Sequence, residues 1–508
     1  MSYSGEIMDC GFDQMMLSRR SFLATTATTL KALPASGRNV AAPQPYGVLP
    51  SARQVNWNEM GIYNFLHFTI NTFTDKEWGY GDENPALFNP TAFDADAIVS
   101  TLKDSGSKGV ILTCKHHDGF CLWPTKTTER SVKNSPFRNG KGDVVKEVSE
   151  AAQRHGLKFG VYVSPWDRSQ PSYGRPEYIR IYRRQIRELL TGYGPVFEIW
   201  HDGANGGDGF YAGAREKRVI DKAHYYDWDN TWNMERELQP GAVLFSDVGP
   251  DIRWVGNEKG IAGDPCWATY TPVAPDGGPP SPGNVEESEA VTGTRNGKFW
   301  MPAECDVSIR PGWFWHEAEN TKVKTSRELL TLYYDSVGRG ASFLLNVPPD
   351  RRGLVHEQDS ESLRGFGKLI REIFSQNLAK QAGSIVASNV RANDTAFSPK
   401  RVLDDNPDTY WSTDDGMTTA EIVFHFPRSV TFNIARLGEN IRLGQRIAGC
   451  AVDMWIDGGW RPFASGTSVG HCRILHVPGA VRTTRVRLRI TESAACPAVS
   501  DFGLFLES

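Results

Sequence analysis

Residues 196–207 read VFEIWHDGANGG, a short apolar run that ends on a carboxylate, Asp202, and breaks into glycines. An aliphatic and aromatic run of this length, bounded by glycine, fits a buried strand. Alternation along a strand puts Glu198, Trp200 and Asp202 on one face and Ile199 and His201 on the other. A carboxylate at such a tip either caps the next turn through backbone hydrogen bonds or reaches over a site built from strand ends. The rest of the chain decides between them.

Comparable runs recur at 62–70 (IYNFLHFTI), 108–117 (KGVILTCKHH), 158–166 (KFGVYVSPW), 242–249 (AVLFSDVG), 299–308 (FWMPAECDVS) and 341–349 (ASFLLNVPP). Amphipathic patterns lie between them: DADAIVSTLKDSGS, DVVKEVSEAAQRHG, PEYIRIYRRQIRELLTGYG, WNMERELQPG and SRELLTLYYDSVGRG. The second has an Asp to cap it and a glycine, Gly156, to end it; the third starts on Pro176 and ends at glycines. Strand and helix alternating at this spacing are parallel βα units. Six or seven of them over residues 46–375 predict an α/β fold, a (β/α)8-type barrel of regular or distorted form, rather than an open sheet.

Past Phe374 the helical patterns stop. Short alternating runs (EIVFHF, VTFNIARLGEN, GCAVDMWIDGGWRPF, CRILHV, TRVRLRITE) predict an antiparallel β-sandwich over 376–508. The Pro- and Gly-rich segment 271–298 is a surface loop, because a buried one would strand its backbone polar groups. Between Asp202 and the next carboxylate-bearing loop, GGDGFYAGAREKRVIDKAHYYDWD reads as a helix-containing connection.

The chain has 508 residues, enough for two or three domains. A net charge of −4 gives no electrostatic case for a nucleic-acid partner. Fifteen Trp and 16 Tyr suit sugar stacking but equally suit core filling. The eight Cys lack metal-binding spacing. Cys114 and Cys121 are open to either a disulfide or two buried thiols. Residues 1–45 contain LSRRSFLATTATTLKALPAS, where Arg19 and Arg20 precede a modestly apolar stretch interrupted by Lys31. This resembles a bacterial twin-arginine export signal, which implies a periplasmic or secreted protein. No later segment is apolar enough to span a membrane. The oligomeric state is not encoded in any pattern here.

Barrel enzymes do their chemistry where strands end and βα loops begin. Those ends carry His67; His116, His117 and Asp118; Tyr162, Ser164 and Trp166; Asp202; and later Asp247, Glu304 and Asp306. Asp202 needs a partner for glycoside hydrolysis, which uses two carboxyls. Glu258 lies in a loop with Arg253, Trp254 and Asn257, where rings can raise an acid's pKa by desolvation; Glu304 and Asp306 compete for that role. Adjacent histidines on a strand point to opposite faces, so KHHDGF suits hydroxyl recognition better than a metal.

Taken together, NFLHFTINTF, the stretch from DKEWGYGDENP to CKHHDGFCLWPT, GVYVSPWDR, EIWHDGAN and GPDIRWVGNEKG resemble glycoside hydrolase family 29, the retaining α-L-fucosidases, over about residues 46–375. The resemblance implies that Asp202 is the nucleophile and that His67, Glu77, Trp78, His116, His117 and Tyr162 line a fucose pocket. It also implies that Glu258, in RWVGNE, is the acid/base of a subgroup acting on α-1,3 and α-1,4 linkages of branched, Lewis-type glycans, with Arg253 and Trp254 beside it as substrate-binding residues. WMPAECDVSIRPGWFWH is similar to that subgroup, and Glu304, Asp306, Trp313 and Trp315 would meet the sugar beyond fucose. His201 stands where the family more often has an aromatic residue. The implied chemistry needs no metal or cofactor, and the partner is a fucosylated oligosaccharide or glycan.

The alternatives are a fucose-binding lectin that has kept the pocket, disfavoured by the presence of both carboxyls, and a metal-dependent hydrolase built on His116, His117 and Asp118. In the C-terminal region, RVLDDNPDTYWSTDDG resembles a discoidin or coagulation-factor type C module. The resemblance implies a structural calcium, often held by such modules, with Asp405, Asp408, Thr409 and Glu507 as candidate ligands whose oxygen donors suit Ca2+; an ordinary Asx turn beside a core Trp411 accounts for the same residues.

Overall fold

The computed structural model describes residues 40–507. Eight parallel strands close into a barrel in which each pairs with the next and the last returns to the first. They are β1 (Ile62–Leu66), β2 (Gly109–Lys115), β3 (Lys158–Val163), β4 (Val196–Trp200), β5 (Val243–Ser246), β6 (Ile252–Trp254), β7 (Ala303–Ser308) and β8 (Ser342–Asn346). All seven residues of β2 are buried. Burial on both faces explains why these strands read as continuous apolar runs rather than alternating ones.

Helices α1 (Ala95–Asp104), α2 (Val144–His155), α3 (Pro176–Gly192), α4 (Trp228–Leu238), α5 (Ser326–Asp335) and α6 (Glu357–Phe374) form the outer layer. Local chemistry sets their ends. The Asp143 side chain accepts from the Lys146 N–H, and Gly156 takes the left-handed conformation that closes α2. Pro176 occupies the first turn of α3, where its missing N–H costs nothing.

The barrel is distorted at one place. Strand β6 is three residues long and follows β5 across residues 247–251 with no helix between them. Arg253 and Trp254, expected in a loop, are therefore on a barrel strand. The segment 206–229 also differs from expectation. It forms a small hairpin, Gly207–Gly209 with Glu216–Arg218, and α4 begins only at Trp228.

Beyond α6 come β9 (Ser384–Ala387), β10 (Trp411–Ser412), β11 (Ala420–Glu439), β12 (Ile447–Ile456), β13 (Gly459–Gly466), β14 (Arg473–Ser493) and β15 (Ala498–Phe505), hydrogen-bonded as one antiparallel sheet. The sheet folds over on itself. Phe502 pairs with Leu437, and a straight strand from Phe424 to Leu437 would span ~40 Å. Yet the Phe424 and Phe502 rings stack at 4.6 Å. The pairing of β11 with β14 shifts register between His425 and Val430, where the strand turns from one layer to the other. Both layers enclose a core that includes Trp411.

Cys114 and Cys121 are buried free thiols. Among the described residues, no helix is long and apolar enough to cross a membrane. Arg19 and Arg20 lie outside the described residues.

Candidate active site

A cavity of about 280 Å³ opens at the C-terminal ends of the strands. A larger one, about 470 Å³, lies at the other end of the barrel against the C-terminal sheet. The smaller cavity is where the strand-end carboxyls and histidines converge, so the chemistry belongs there.

Alternation on β4 is as the sequence requires. Ile199 packs outward and His201 points into the helical layer, between the Tyr182 hydroxyl at 2.8 Å and the Glu235 carboxylate at 3.0 Å. Trp200 and Asp202 face the cavity. Asp202 Oδ2 accepts the Tyr162 hydroxyl at 2.8 Å and Oδ1 accepts the Ala204 N–H at 2.6 Å. Burial raises its pKa, and these two donors oppose the rise.

The three histidines present different hydrogen-bonding edges. Ser164 donates its hydroxyl to the Trp166 carbonyl, so it accepts from His117 Nδ1 at 2.7 Å. The Asn346 amide nitrogen donates to Ser308 and to the Trp313 carbonyl, so its oxygen accepts from His67 Nδ1 at 2.9 Å. Burial pushes both rings down to a pKa of about 3, so both are neutral and both Nε2 atoms are acceptors. His117 Nε2 lies 3.7 Å from Asp202 Oδ2, but a neutral ring makes this no ion pair. His116 has the opposite tautomer. Its Nδ1 faces the Asn71 amide nitrogen at 3.4 Å, which leaves Nε2–H as a donor. One donor and two acceptors suit a polyhydroxylated ligand.

His116 and His117 both line the cavity, contrary to the alternation expected of a strand. Strand β2 ends at Lys115, and the rings sit 4.1 Å apart in the turn beyond it. Their ligand atoms and one of Asp202 lie within 4.8 Å of one another. A metal on His116 Nε2 would need the Nδ1 to carry a hydrogen and donate it, whereas this Nδ1 accepts. Asp118 is turned away and caps the Phe120 N–H at 2.7 Å. The metal-hydrolase donor set therefore does not assemble.

Glu258 stands exposed at the rim and accepts the Trp313 indole N–H at 3.2 Å. Partial desolvation raises its pKa, the Trp313 bond lowers it, and the Asp202 charge raises it again. Asp306 is buried below and accepts the Trp254 indole N–H at 2.9 Å; burial and the Glu258 charge push it well up. Glu77 accepts the backbone N–H groups of Trp313 and Phe314 at 2.9 and 3.2 Å and pairs with His316 at 2.6 Å. It thus holds the Trp313 loop in place. Trp78, 52% exposed, stands edge-on to His117 and offers a ring at the entrance.

Three expected sugar-contacting residues are elsewhere. Arg253 is fully buried and donates to the Ala290 and Met301 carbonyls behind the barrel wall. Glu304 lies inside the barrel, bonded to Tyr63 and Trp200. Trp315 is buried against Arg310 and Arg351. Asp247, a strand-end residue given no role from sequence, does line the cavity. It accepts the Gly283 N–H at 2.6 Å, and burial raises it to about 7. Gly283, Val285 and Glu287 bring the Pro-rich loop to the cavity rim; nothing in its composition distinguished it from an ordinary surface loop.

The calcium candidates do not assemble either. Asp405 pairs with Lys380, Asp408 with Arg442, and Glu507 with Arg327 and the Tyr334 hydroxyl. Thr409 donates to Asp404 in an Asx turn. These residues do not fit a cation site.

Residues 45–372 match the family model described as alpha-L-fucosidase. The chain belongs to the α-L-fucosidase family, glycoside hydrolase family 29. It is 43% identical to alpha-L-fucosidase 1 of Arabidopsis thaliana over 92% of this chain and 89% of that protein. It is similar in structure to a putative alpha-L-fucosidase of Bacteroides thetaiotaomicron, with 38% identity, TM-score 0.81, and 92% and 99% of the two chains covered. A family 29 fucosidase of Ruminococcus gnavus in complex with fucose gives 31% identity and TM-score 0.82 over 92% and 97%. The protein is thus a glycoside hydrolase, an α-L-fucosidase, and the cavity over β4 is its candidate active-site pocket.

Proposed function

We propose that the enzyme is a retaining exo-α-L-fucosidase that removes α-1,3- and α-1,4-linked fucose from branched, Lewis-type glycans. The observation that carries this reading is the placement of Asp202 at the β4 tip, with Glu258 at the rim of the same small cavity. Asp202 attacks the anomeric carbon while Glu258 protonates the leaving oxygen. Glu258 then takes a proton from water, which releases fucose with retention. His67 and His117 accept sugar hydroxyl protons through Nε2, and His116 donates from Nε2–H. Trp254, Asp306 and Trp313 border Glu258 and would meet the sugar that leaves. No step calls for a metal. The raised pKa of Glu258 supports its role as an acid, since a general acid must still hold its proton at working pH.

The C-terminal sheet resembles a discoidin-type module. The paired arginines near the N-terminus support export to the periplasm or medium; fucosidase appearing outside the cytoplasm, shortened at its N-terminus, only when Arg19 and Arg20 are intact would test this.

Fucose release from a Lewis-type trisaccharide and from 2′-fucosyllactose, compared side by side, tests the linkage. Release from the first alone, abolished in Asp202→Ala, is expected. Equal release from both overturns the linkage assignment. Glu258→Gln should lose about 10²–10⁴-fold on the trisaccharide but far less on an aryl fucoside whose leaving group needs no proton.

A further inference from the structure

Two carboxyl groups lie inside the barrel, one layer below the pocket floor, and the reaction above makes no use of them. Glu198 of β4 and Glu304 of β7 are fully buried, among Trp57, Tyr63, Trp200 and Phe245. Glu304 accepts the Tyr63 hydroxyl on one oxygen and the Trp200 indole N–H, at 2.7 Å, on the other. Glu198 accepts the Trp57 indole N–H at 3.0 Å. Its second oxygen, Oε1, has no donor among the described residues. Burial comes first, and then the Glu304 charge and a hydrogen bond between the carboxyls, in pushing Glu198 well above the usual carboxylate range.

Two bare carboxylates sharing so dry a core would repel strongly. A proton on Glu198 removes one charge and turns the orphaned oxygen into a donor to Glu304. The donors then divide consistently: Glu304, with Tyr63, Trp200 and Glu198 donating to it, is the anion, and Glu198, with one donor, is the acid. We propose that Glu198 and Glu304 hold one proton between them, resident on Glu198, and that the pair positions Trp200 as the floor of the active site.

The consequence reaches the nucleophile through rings. Trp200 is two residues before Asp202 on the same inward face. Its indole is gripped at the nitrogen by Glu304 and packed between Phe245 at 4.2 Å and Tyr162 at 5.2 Å. Tyr162 in turn donates to Asp202. Fixing the indole plane therefore fixes the phenol that orients the attacking carboxylate. Neither glutamate touches substrate, and the proton does not move during the reaction.

The protonated member should tolerate an amide and the ionised member should not. Glu198→Gln keeps an N–H to give Glu304 and an oxygen for Trp57, so kcat on an aryl fucoside should stay within about threefold. Glu304→Gln turns an amide nitrogen toward the Tyr63 or Trp200 donor and should lower kcat at least about tenfold, the scale of one lost hydrogen bond. Its effect on KM should be smaller. Equal losses in both variants would overturn the assignment. Infrared difference spectra at about pH 9 supply a readout that simple packing would not move. Wild type should show the C=O stretch of a buried carboxylic acid that Glu198→Gln lacks; absence of that band refutes the shared proton. If Glu304→Gln fails to fold, Trp200→Phe serves in its place, keeping the stack and losing the grip. A kcat fall is expected there too, and an unchanged kcat would refute the positioning role. The kinetic arm rests on Asp202 as nucleophile; the infrared arm does not, so the two readings can fail separately.

Discussion

Replacing Tyr162 by Phe is the most incisive perturbation of the pocket. It removes one hydroxyl and leaves the ring packed on Trp200 and His116. That hydroxyl donates to Asp202 Oδ2 at 2.8 Å, and it is one of two groups that hold the carboxylate's pKa down against burial. A hydrogen bond to a charged group contributes about 1.5–3 kcal/mol, and a pKa unit corresponds to 1.36 kcal/mol. Loss of the bond should therefore raise the Asp202 pKa by roughly one to two units. Asp202 attacks only when ionised, so the acidic limb of kcat/KM against pH should move up by that amount. Activity near pH 5 should fall much more than activity on the plateau. The pocket histidines His67 and His117 are held neutral down to about 3 and do not titrate in this window. The assay is fucose release from an aryl fucoside between pH 4 and 9. An acidic limb that stays in place while the variant remains folded would refute Asp202 as the group that must be ionised.

Asp247 is raised to about 7 by burial, above its unfolded value, so it stabilises the fold when protonated and that contribution is lost as pH rises through about 7. Asp247→Asn imitates the protonated form, so its melting temperature should gain on wild type as pH goes from 5 to 8; a gap independent of pH would contradict the shift. Glu77→Gln leaves at least one of the Trp313, Phe314 and His316 donors without an acceptor; the Trp313 loop should loosen and KM for the trisaccharide should rise roughly tenfold, the effect of about one hydrogen bond. Gly312→Ala should act on the same loop, because a Cβ there would meet Glu77 Oε1 at 2.5 Å; unchanged kinetics in both variants would show that Glu77 does not hold Trp313. Lys115 is fully buried and donates to Asp167, Tyr178 and Gln185. Lys115→Met should cost about 3–5 kcal/mol in denaturant unfolding by leaving Asp167 unpaired; a loss below about 1 kcal/mol would count against an ion pair at that site.

The legible parts of this enzyme were those set by short-range periodicity. Seven of the eight barrel strands stood out because parallel strands covered on both faces must be apolar throughout. Asp202 stood out because the same rule makes a terminal carboxylate conspicuous. Strand β6 was hidden for the complementary reason: three residues, one of them Arg253, carry no period, and the missing helix after β5 removes the βα rhythm that would have announced it. Two of the errors within the site share one physical origin. The histidine pair and Glu304 were assigned by where their residues fall along a strand, but a strand's length decides which layer a side chain occupies. Strand β2 stops at Lys115, which frees both rings to line the cavity. Strand β7 runs on to Ser308, which places Glu304 one layer below Asp306 and leaves Asp306 at the cavity. Glu258 is a different case: no periodicity governs a rim loop, so its ring neighbours made it one candidate beside Glu304 and Asp306, and the resemblance to a family decided among them. Its surroundings set its proton affinity: desolvation and the Asp202 charge raise it, and the Trp313 bond works against them. Trp313 is brought to it by a loop anchored on Glu77, more than two hundred residues earlier in the chain. A pKa assembled from such distant pieces belongs to the folded barrel and has no local sequence signature.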